Sequence, residues 1–202
     1  MKFRVNYDGI RYAINNNEHV EFFVWNYLRM CGSTGLFPIS AFNPRVFCLS
    51  SIEEKAKDNT FYLFKKNKFI LKSPKNIKSF YFGKYDFECE FSELCKYANK
   101  LAQYSGNKIK KWNSTLIKYF LIAVYSCRYR YKKPYALCLI SEDLGVSIKT
   151  IQRALKVFDV ARDYVKQTEP SLRSYTFQGE RVNLTPNFYA MRFGKTRKFH
   201  VY

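Results

Sequence analysis

Leu139-Ile140-Ser141-Glu142-Asp143-Leu144-Gly145-Val146-Ser147-Ile148-Lys149-Thr150-Ile151-Gln152-Arg153-Ala154-Leu155, continuing to Phe158, is the stretch that decides how this chain folds. Gly145 falls where the chain must leave a first short helix in a conformation that a side chain disfavours. Val146 then turns inward. Ser147 is placed to accept hydrogen bonds from the exposed amides of a second helix, which makes it that helix's N-cap. Ile151, Leu155 and Phe158 recur at i, i+4 and i+7 and, with Ala154, form an apolar stripe faced by Ile140 and Leu144 of the first helix. That arrangement leaves Ile148, Lys149, Gln152, Arg153 and Lys156 on the opposite side.

A short helix, a Gly-hydrophobic-Ser turn and a Ser/Thr-bearing second helix at this spacing resemble the helix-turn-helix of bacterial transcription regulators and other DNA-binding proteins. The resemblance covers about 20 residues, 139–158, and implies a mechanism. The first residues of a recognition helix reach base edges in the major groove. Gln152 is then a candidate to pair bidentately with adenine, and Arg153 or Lys149 with guanine, each pairing worth roughly 1–3 kcal/mol of discrimination. Ser147 and Thr150 are better placed for phosphate oxygens at the helix N-terminus, where free amides and the helix dipole favour an anion.

The composition agrees with a polyanionic partner. Against 16 acidic residues stand 35 basic ones, a formal charge of +19 at pH 7, which opposes compaction unless counterions or a polyanion screen it. The charge is spread along the chain but densest over residues 89–133, with 10 basic groups against 2 acidic. A hydrophobic content of 47% can supply a core, and 8 Gly with 6 Pro exclude a collagen-like or disordered chain. No run approaches the ~20 apolar residues of a spanning helix, and Met1 to Asp8 lacks the apolar core of a secretory signal, so a cytoplasmic protein without membrane partners is expected. Six cysteines (Cys31, Cys48, Cys89, Cys95, Cys127, Cys138) form no C-x-x-C pair. With only His19 and His200 beside them, they read as free, mostly buried thiols with no metal or cofactor.

Outward from residues 139–158, the pattern predicts a fold that is mainly α with short β-hairpins (α+β). Phe3–Tyr7 is a strand candidate, and the run Gly9–Ile14 ends in the turn cluster Asn15-Asn16-Asn17. A helix is predicted from Glu18 to Met30 and stopped by Gly32, and a second from Pro44 to Lys57. Thr60–Lys72 reads as a hairpin with a basic turn. Helices followed by such a hairpin resemble a winged-helix module with the hairpin as wing, so the plan is a winged helix-turn-helix, used once or twice in tandem. Phe80–Phe87 is a strand or a linker, and a boundary there divides residues 1–85 from 86–202. An amphipathic helix is predicted from Phe91 to Tyr104, then the basic patch Lys108–Trp112 and a long helix capped by Asn113, Ser114 or Thr115 and running to Cys127. After Phe158, Asp163–Val165, Tyr175–Phe177 and Arg181–Leu184 are short strand candidates resembling a wing. Arg173 and Arg181 would reach phosphate or the minor groove, and the tail Arg192–Lys198 reads as an electrostatic arm.

No catalytic constellation emerges. A Gly-rich phosphate loop and a G-x-S-x-G elbow are both missing from the sequence, and the carboxylate pairs Glu53-Glu54 and Glu142-Asp143 read as helix surface. The expectation is therefore a non-enzyme that binds double-stranded DNA, as a monomer or homodimer. A transcription regulator comes first. A plasmid or phage replication initiator is the alternative, because one class of these resembles two winged helices in tandem. An RNA-binding protein that stacks bases on Tyr and Phe side chains is the third.

Overall fold

The computed structural model describes residues 2–32, 36–44, 46–54, 59–66, 68–72, 86–92, 111–127 and 137–158, together with the backbone of 160–164, 174–177, 180–183 and 187–191. Its centre is helix-forming sequence with almost no polar interruption. Residues Leu116, Ile117 and Phe120 to Ser126 are all buried, so the helix they occupy, Ser114–Ser126, is covered nearly all round. Asn113 starts it, its Oδ1 accepting from the Leu116 amide at 2.8 Å. Of the three candidate caps, the first in sequence therefore serves.

In chain order the elements are β1 (Lys2–Val5), α1 (Tyr7–Asn15), α2 (His19–Cys31), β2 (Leu36–Pro38), a 3-10 turn (Ile39–Ala41), α3 (Leu49–Glu54), β3 (Tyr62–Lys65), β4 (Lys68–Leu71) and β5 (Phe87–Glu90). Then follow the central helix α4 (Ser114–Ser126), α5 (Leu137–Leu144), α6 (Ile148–Val157), β6 (Val160–Tyr164), β7 (Ser174–Phe177), β8 (Glu180–Asn183) and β9 (Asn187–Met191). The fold is α+β, with small antiparallel sheets: β1 with β5, the three-stranded order β2-β4-β3, β6 with β9, and β7 with β8.

Asn6 rather than a strand residue begins α1, its Oδ1 accepting from the Gly9 amide at 2.8 Å, so the run after Asp8 is helical. The helix expected over Glu18–Met30 forms as α2 within one residue at either end. Gly32 leaves it in extended backbone (φ 175°), not the left-handed conformation that helix-ending glycines often take. The helix expected over Pro44–Lys57 is shorter among the described residues. Asn43 accepts from the amides of Val46 and Phe47, both at 2.9 Å, and the chain then pairs with Trp112, so α3 begins only at Leu49. Two backbone bonds make that pairing: Trp112 N to Val46 O at 2.8 Å, and Cys48 N to Trp112 O at 3.0 Å.

The hairpin expected in Thr60–Lys72 is present as β3 and β4, in register from Tyr62 opposite Leu71 to Lys65 opposite Lys68. It is tied to α2 at both ends. Thr60 Oγ1 donates to Glu18 Oε1 at 2.9 Å, and Trp25 Nε1 donates to Lys72 O at 3.1 Å. Phe87 begins β5, which lies antiparallel on β1, while the rest of Phe80–Phe87 up to residue 85 and the helix expected over Phe91–Tyr104 beyond Ser92 lie outside the described residues. On that β1–β5 pair Lys2 and Arg4 both bind Glu88, and the Lys2 hydrogen bond, ahead of other influences, holds the Glu88 carboxyl below its usual range.

Aromatic rings join these parts. Phe120 of α4 lies 5.9 Å from Phe3, 6.0 Å from Phe23, 6.1 Å from Phe87, 5.5 Å from Trp112 and 5.6 Å from Phe158, centroid to centroid. One buried cluster therefore runs from Phe3 to Phe158 across residue 85, and the described residues of segments 1–85 and 86–202 share it. Replacing Phe120 by Ala is expected to destabilise the protein by about 3–5 kcal/mol, the range for emptying a buried aromatic site. Urea unfolding followed by tryptophan fluorescence checks this, and a single transition is expected because Trp25 and Trp112 belong to the same cluster.

Candidate nucleic-acid interface

Helix α5 ends at Leu144 and Gly145 adopts φ +59°, the left-handed conformation that a Cβ disfavours. The turn is closed by local bonds. Val146 N donates to Ser141 O at 3.2 Å, and the Ser141 hydroxyl donates to Val146 O at 2.6 Å. Ser147 then caps α6, its Oγ accepting from the Thr150 amide at 3.2 Å and lying 2.9 Å from Thr150 Oγ1. The two hydroxyls share one proton between them, which leaves the other free to be donated outward.

Packing follows the stripe expected from the sequence. Ile140 and Leu144 of α5, Ile151 and Ala154 of α6 and its C-cap Phe158 are buried, with Val146 and Leu155 half-buried against them. The opposite side of α6 faces solvent. Ser147, Ile148, Lys149, Gln152, Arg153 and Lys156 are exposed and Thr150 is half-buried, so all seven lie at or beside one surface. Ile148 is 40% exposed. Helix α6 contains no acidic residue, and no carboxylate of a described residue forms an ion pair with Lys149, Arg153 or Lys156.

The third helix that holds α5 and α6 in place is α4, and a second brace comes from the other end of the chain. Asp143, in the last turn of α5, receives two hydrogen bonds: Tyr125 OH to its Oδ2 at 2.8 Å and Asn15 Nδ2 to its main-chain O at 3.1 Å. Tyr125 is in turn packed edge-on against Tyr7, 6.0 Å between centroids. Asp143 is thus half-buried and tethered, where the sequence suggested a free surface carboxylate. A Cβ on Gly145 would lie 3.3 Å from Asn15 Oδ1, so the end of α1 also fits closely over the turn. The pattern of residues 139–158 carries no sign of this partner, which lies 128 residues away from Asp143 in sequence.

Beyond Phe158 the chain forms β6, which pairs with β9 from Val160 opposite Met191 to Tyr164 opposite Asn187, and the hairpin β7–β8 from Ser174 opposite Asn183 to Phe177 opposite Glu180. Two of the three strand candidates are matched by β7 and β8, while β6 begins at Val160, before the expected Asp163. Strand β9 has no counterpart among the strands expected from the sequence. Arg181 sits in β8 opposite Thr176. Arg173 and the tail Arg192–Lys198 lie outside the described residues.

Elsewhere, His19 is 4% exposed, its Nε2 lying 3.0 Å from Ser114 Oγ, which makes it part of the α2–α4 packing. Five cysteines among the described residues are free thiols, and only Cys127 of them is buried, fewer than the sequence suggested. Among the described residues no three metal-ligating side chains gather, and no helix is long and apolar enough to cross a membrane. No protein-family model matches the chain, and no curated protein or solved structure matches it significantly.

Two substitutions test the turn. Gly145→Ala is expected to cost roughly 1–2 kcal/mol because the added Cβ meets a left-handed backbone, and Ser147→Ala about 1 kcal/mol through the lost cap. Denaturant unfolding gives both values, and hydrogen exchange at Ile151 and Ala154 shows whether the loss is local to α6.

Proposed function

We propose that this protein binds double-stranded DNA sequence-specifically and acts as a transcription regulator, with α6 as the helix that reads the major groove. One observation carries the reading. A helix buried on one side against α4 and α5 presents, on the other, three cations without a described acidic partner, an amide and an exposed isoleucine, a combination that solubility alone does not require. Gln152 has the donor and acceptor needed for adenine, Arg153 and Lys149 the donors for guanine, and Ile148 the apolar surface for a thymine methyl. Ser147 and Thr150, with one hydroxyl proton between them uncommitted, suit a phosphate oxygen at the α6 N-terminus. Lys156, two turns further on, suits the flanking backbone.

The order α4, α5, α6, then β6 returning as β9, supports reading this part as a winged helix-turn-helix, with the chain between those strands, including β7–β8 and Arg173 and Arg181, as an extended wing over phosphate or the minor groove. The formal charge of +19 supplies sequence-independent attraction to the duplex. A cytoplasmic location and a homodimer on a paired site complete this reading. A second reading, a replication initiator of a plasmid or phage, is favoured by one feature. Helix α2, strand β2, helix α3 and the hairpin β3–β4, with sheet order β2-β4-β3, give the N-terminal part helices followed by a hairpin, which supports a second winged helix there.

Selection of bound sites from random duplex DNA tests the proposal directly. An operator-like palindrome is expected for a regulator and tandem repeats for an initiator, while preference for single-stranded RNA overturns both. The double variant Gln152→Ala, Arg153→Ala is expected to bind its selected and scrambled sites equally, with salt-sensitive binding retained. Retained discrimination in a filter-binding or anisotropy assay sinks the assignment of α6 as the reading helix.

A further inference from the structure

The three-stranded sheet β2-β4-β3 carries a row of apolar side chains on each face, although only one face meets the core. Phe37, Phe69 and Phe64 stand in register across it, with Phe37 and Phe69 buried and Phe64 half-buried, and they form the inner row. Side chains alternate along a strand, so the next row faces outward and should be polar. Instead it holds Leu36, Ile70 and Leu63, again in register. Leu36 is 51% and Ile70 41% exposed, and the remaining large hydrophobic side chain so exposed among the described residues is Ile148 on the outer face of α6.

Two residues further along, about 7 Å away, the same outer face carries Pro38, Lys68 and Lys65. Lys65 and Lys68 are directly opposite each other, and like charges so placed destabilise a strand pair. Lys66, beside them in the two-residue turn, has φ +52°, the left-handed conformation that so tight a hairpin connection requires. No carboxylate of a described residue forms an ion pair with any of the three. An aliphatic row, exposed at Leu36 and Ile70 and half-buried at Leu63, and a like-charge pair thus meet on one small surface, where strand pairing by itself favours neither. Such local conflict marks functional surfaces.

We propose that this face is a docking site for an acidic, amphipathic helical segment of another protein. Its apolar side would seat on Leu36, Ile70 and Leu63, and its carboxylates would meet Lys65, Lys66 and Lys68. Three strands span about 10 Å, the width of one helix. Nucleic acid would satisfy the lysines, but the aliphatic row spans about 10 Å across three strands, more apolar surface than a sugar edge or a single thymine methyl covers. A second copy of this chain brings the same formal charge of +19 and opposes its own approach. The surface is separate from α6, and the duplex probe below separates this role from that of a DNA-contacting wing.

The test uses the full chain, labelled with nitrogen-15, and four probes: a synthetic helical peptide with leucines on one face and glutamates flanking them, an unstructured polyglutamate of equal charge, a random duplex, and vesicles containing anionic lipid. The amphipathic peptide is expected to shift the amides of Leu36, Leu63, Lys68 and Ile70 saturably. Leu36→Ser with Ile70→Thr is expected to weaken that binding about tenfold or more while leaving affinity for a selected DNA site unchanged. These positions are exposed, and an otherwise unaltered amide spectrum verifies the fold of the variant. The proposal is overturned by an absence of saturable shifts, by polyglutamate binding as tightly as the peptide, by the duplex or the vesicles shifting these same amides in its place, or by a concentration-dependent dimer that Leu36→Ser dissociates.

Discussion

Helix α4 has no solvent face over its last two turns, and the elements packed around it are in place to cover it. A helix that is hydrophobic all round must lie inside a fold rather than on it. Helix α2 covers one flank, α1 a second and α6 a third, and Phe120 touches the rings of Phe3, Phe23, Phe87, Trp112 and Phe158 from a single position. The pair formed by α5 and α6 is therefore held against a rigid post, which matters for any reader of a duplex, because groups that must match base edges lose discrimination when their scaffold can tilt.

The brace at Asp143 serves the same end from outside the core. A carboxylate at the C-terminal end of α5 is unfavourable by the helix dipole, yet here its Oδ2 accepts from Tyr125 and its carbonyl from Asn15. The first helix of the proposed reading motif is thereby joined to the first helix of the chain. What stands N-terminal to residue 85 is thus part of the support of α6, in addition to carrying the sheet β2-β4-β3 and its lysine-bearing hairpin. Charge and packing divide the described residues between them: their aromatic side chains are largely inside, and the lysines of α6 and of the β3–β4 turn stand outside without described acidic partners.

Much of the local architecture is legible in the sequence. Gly145, Ser147 and the Ile151–Ala154–Phe158 stripe can be assigned from residue order alone because each acts through neighbours three or four residues away, and the β3–β4 hairpin is legible from its basic turn, whereas the choice of Asn113 among three candidate caps is made by the structure. Pro44–Lys57 is harder. Its apolar pattern suits a helix, but the backbone of Val46 and Cys48 bonds to Trp112, and a strand bridge with a partner more than 60 residues away leaves no mark on local periodicity. The pairing of β6 with β9 is hidden for a related reason, since the strands are separated by the hairpin β7–β8 and only the nearer pairing has a turn signal.

The sequence by itself determined the caps, the turns and the faces of α5 and α6, because those depend on dihedral preference and on hydrogen bonds within one helical turn. It determined in the same way which cations and amides lie on the exposed side of α6. Only the tertiary structure decided that one aromatic cluster spans residue 85, that Asn15 and Tyr125 brace Asp143, and that Leu36, Ile70 and Leu63 align across three strands. Each of these joins residues far apart in the chain, and the pairing of distant segments is set by the global packing of apolar surface, which no local pattern encodes.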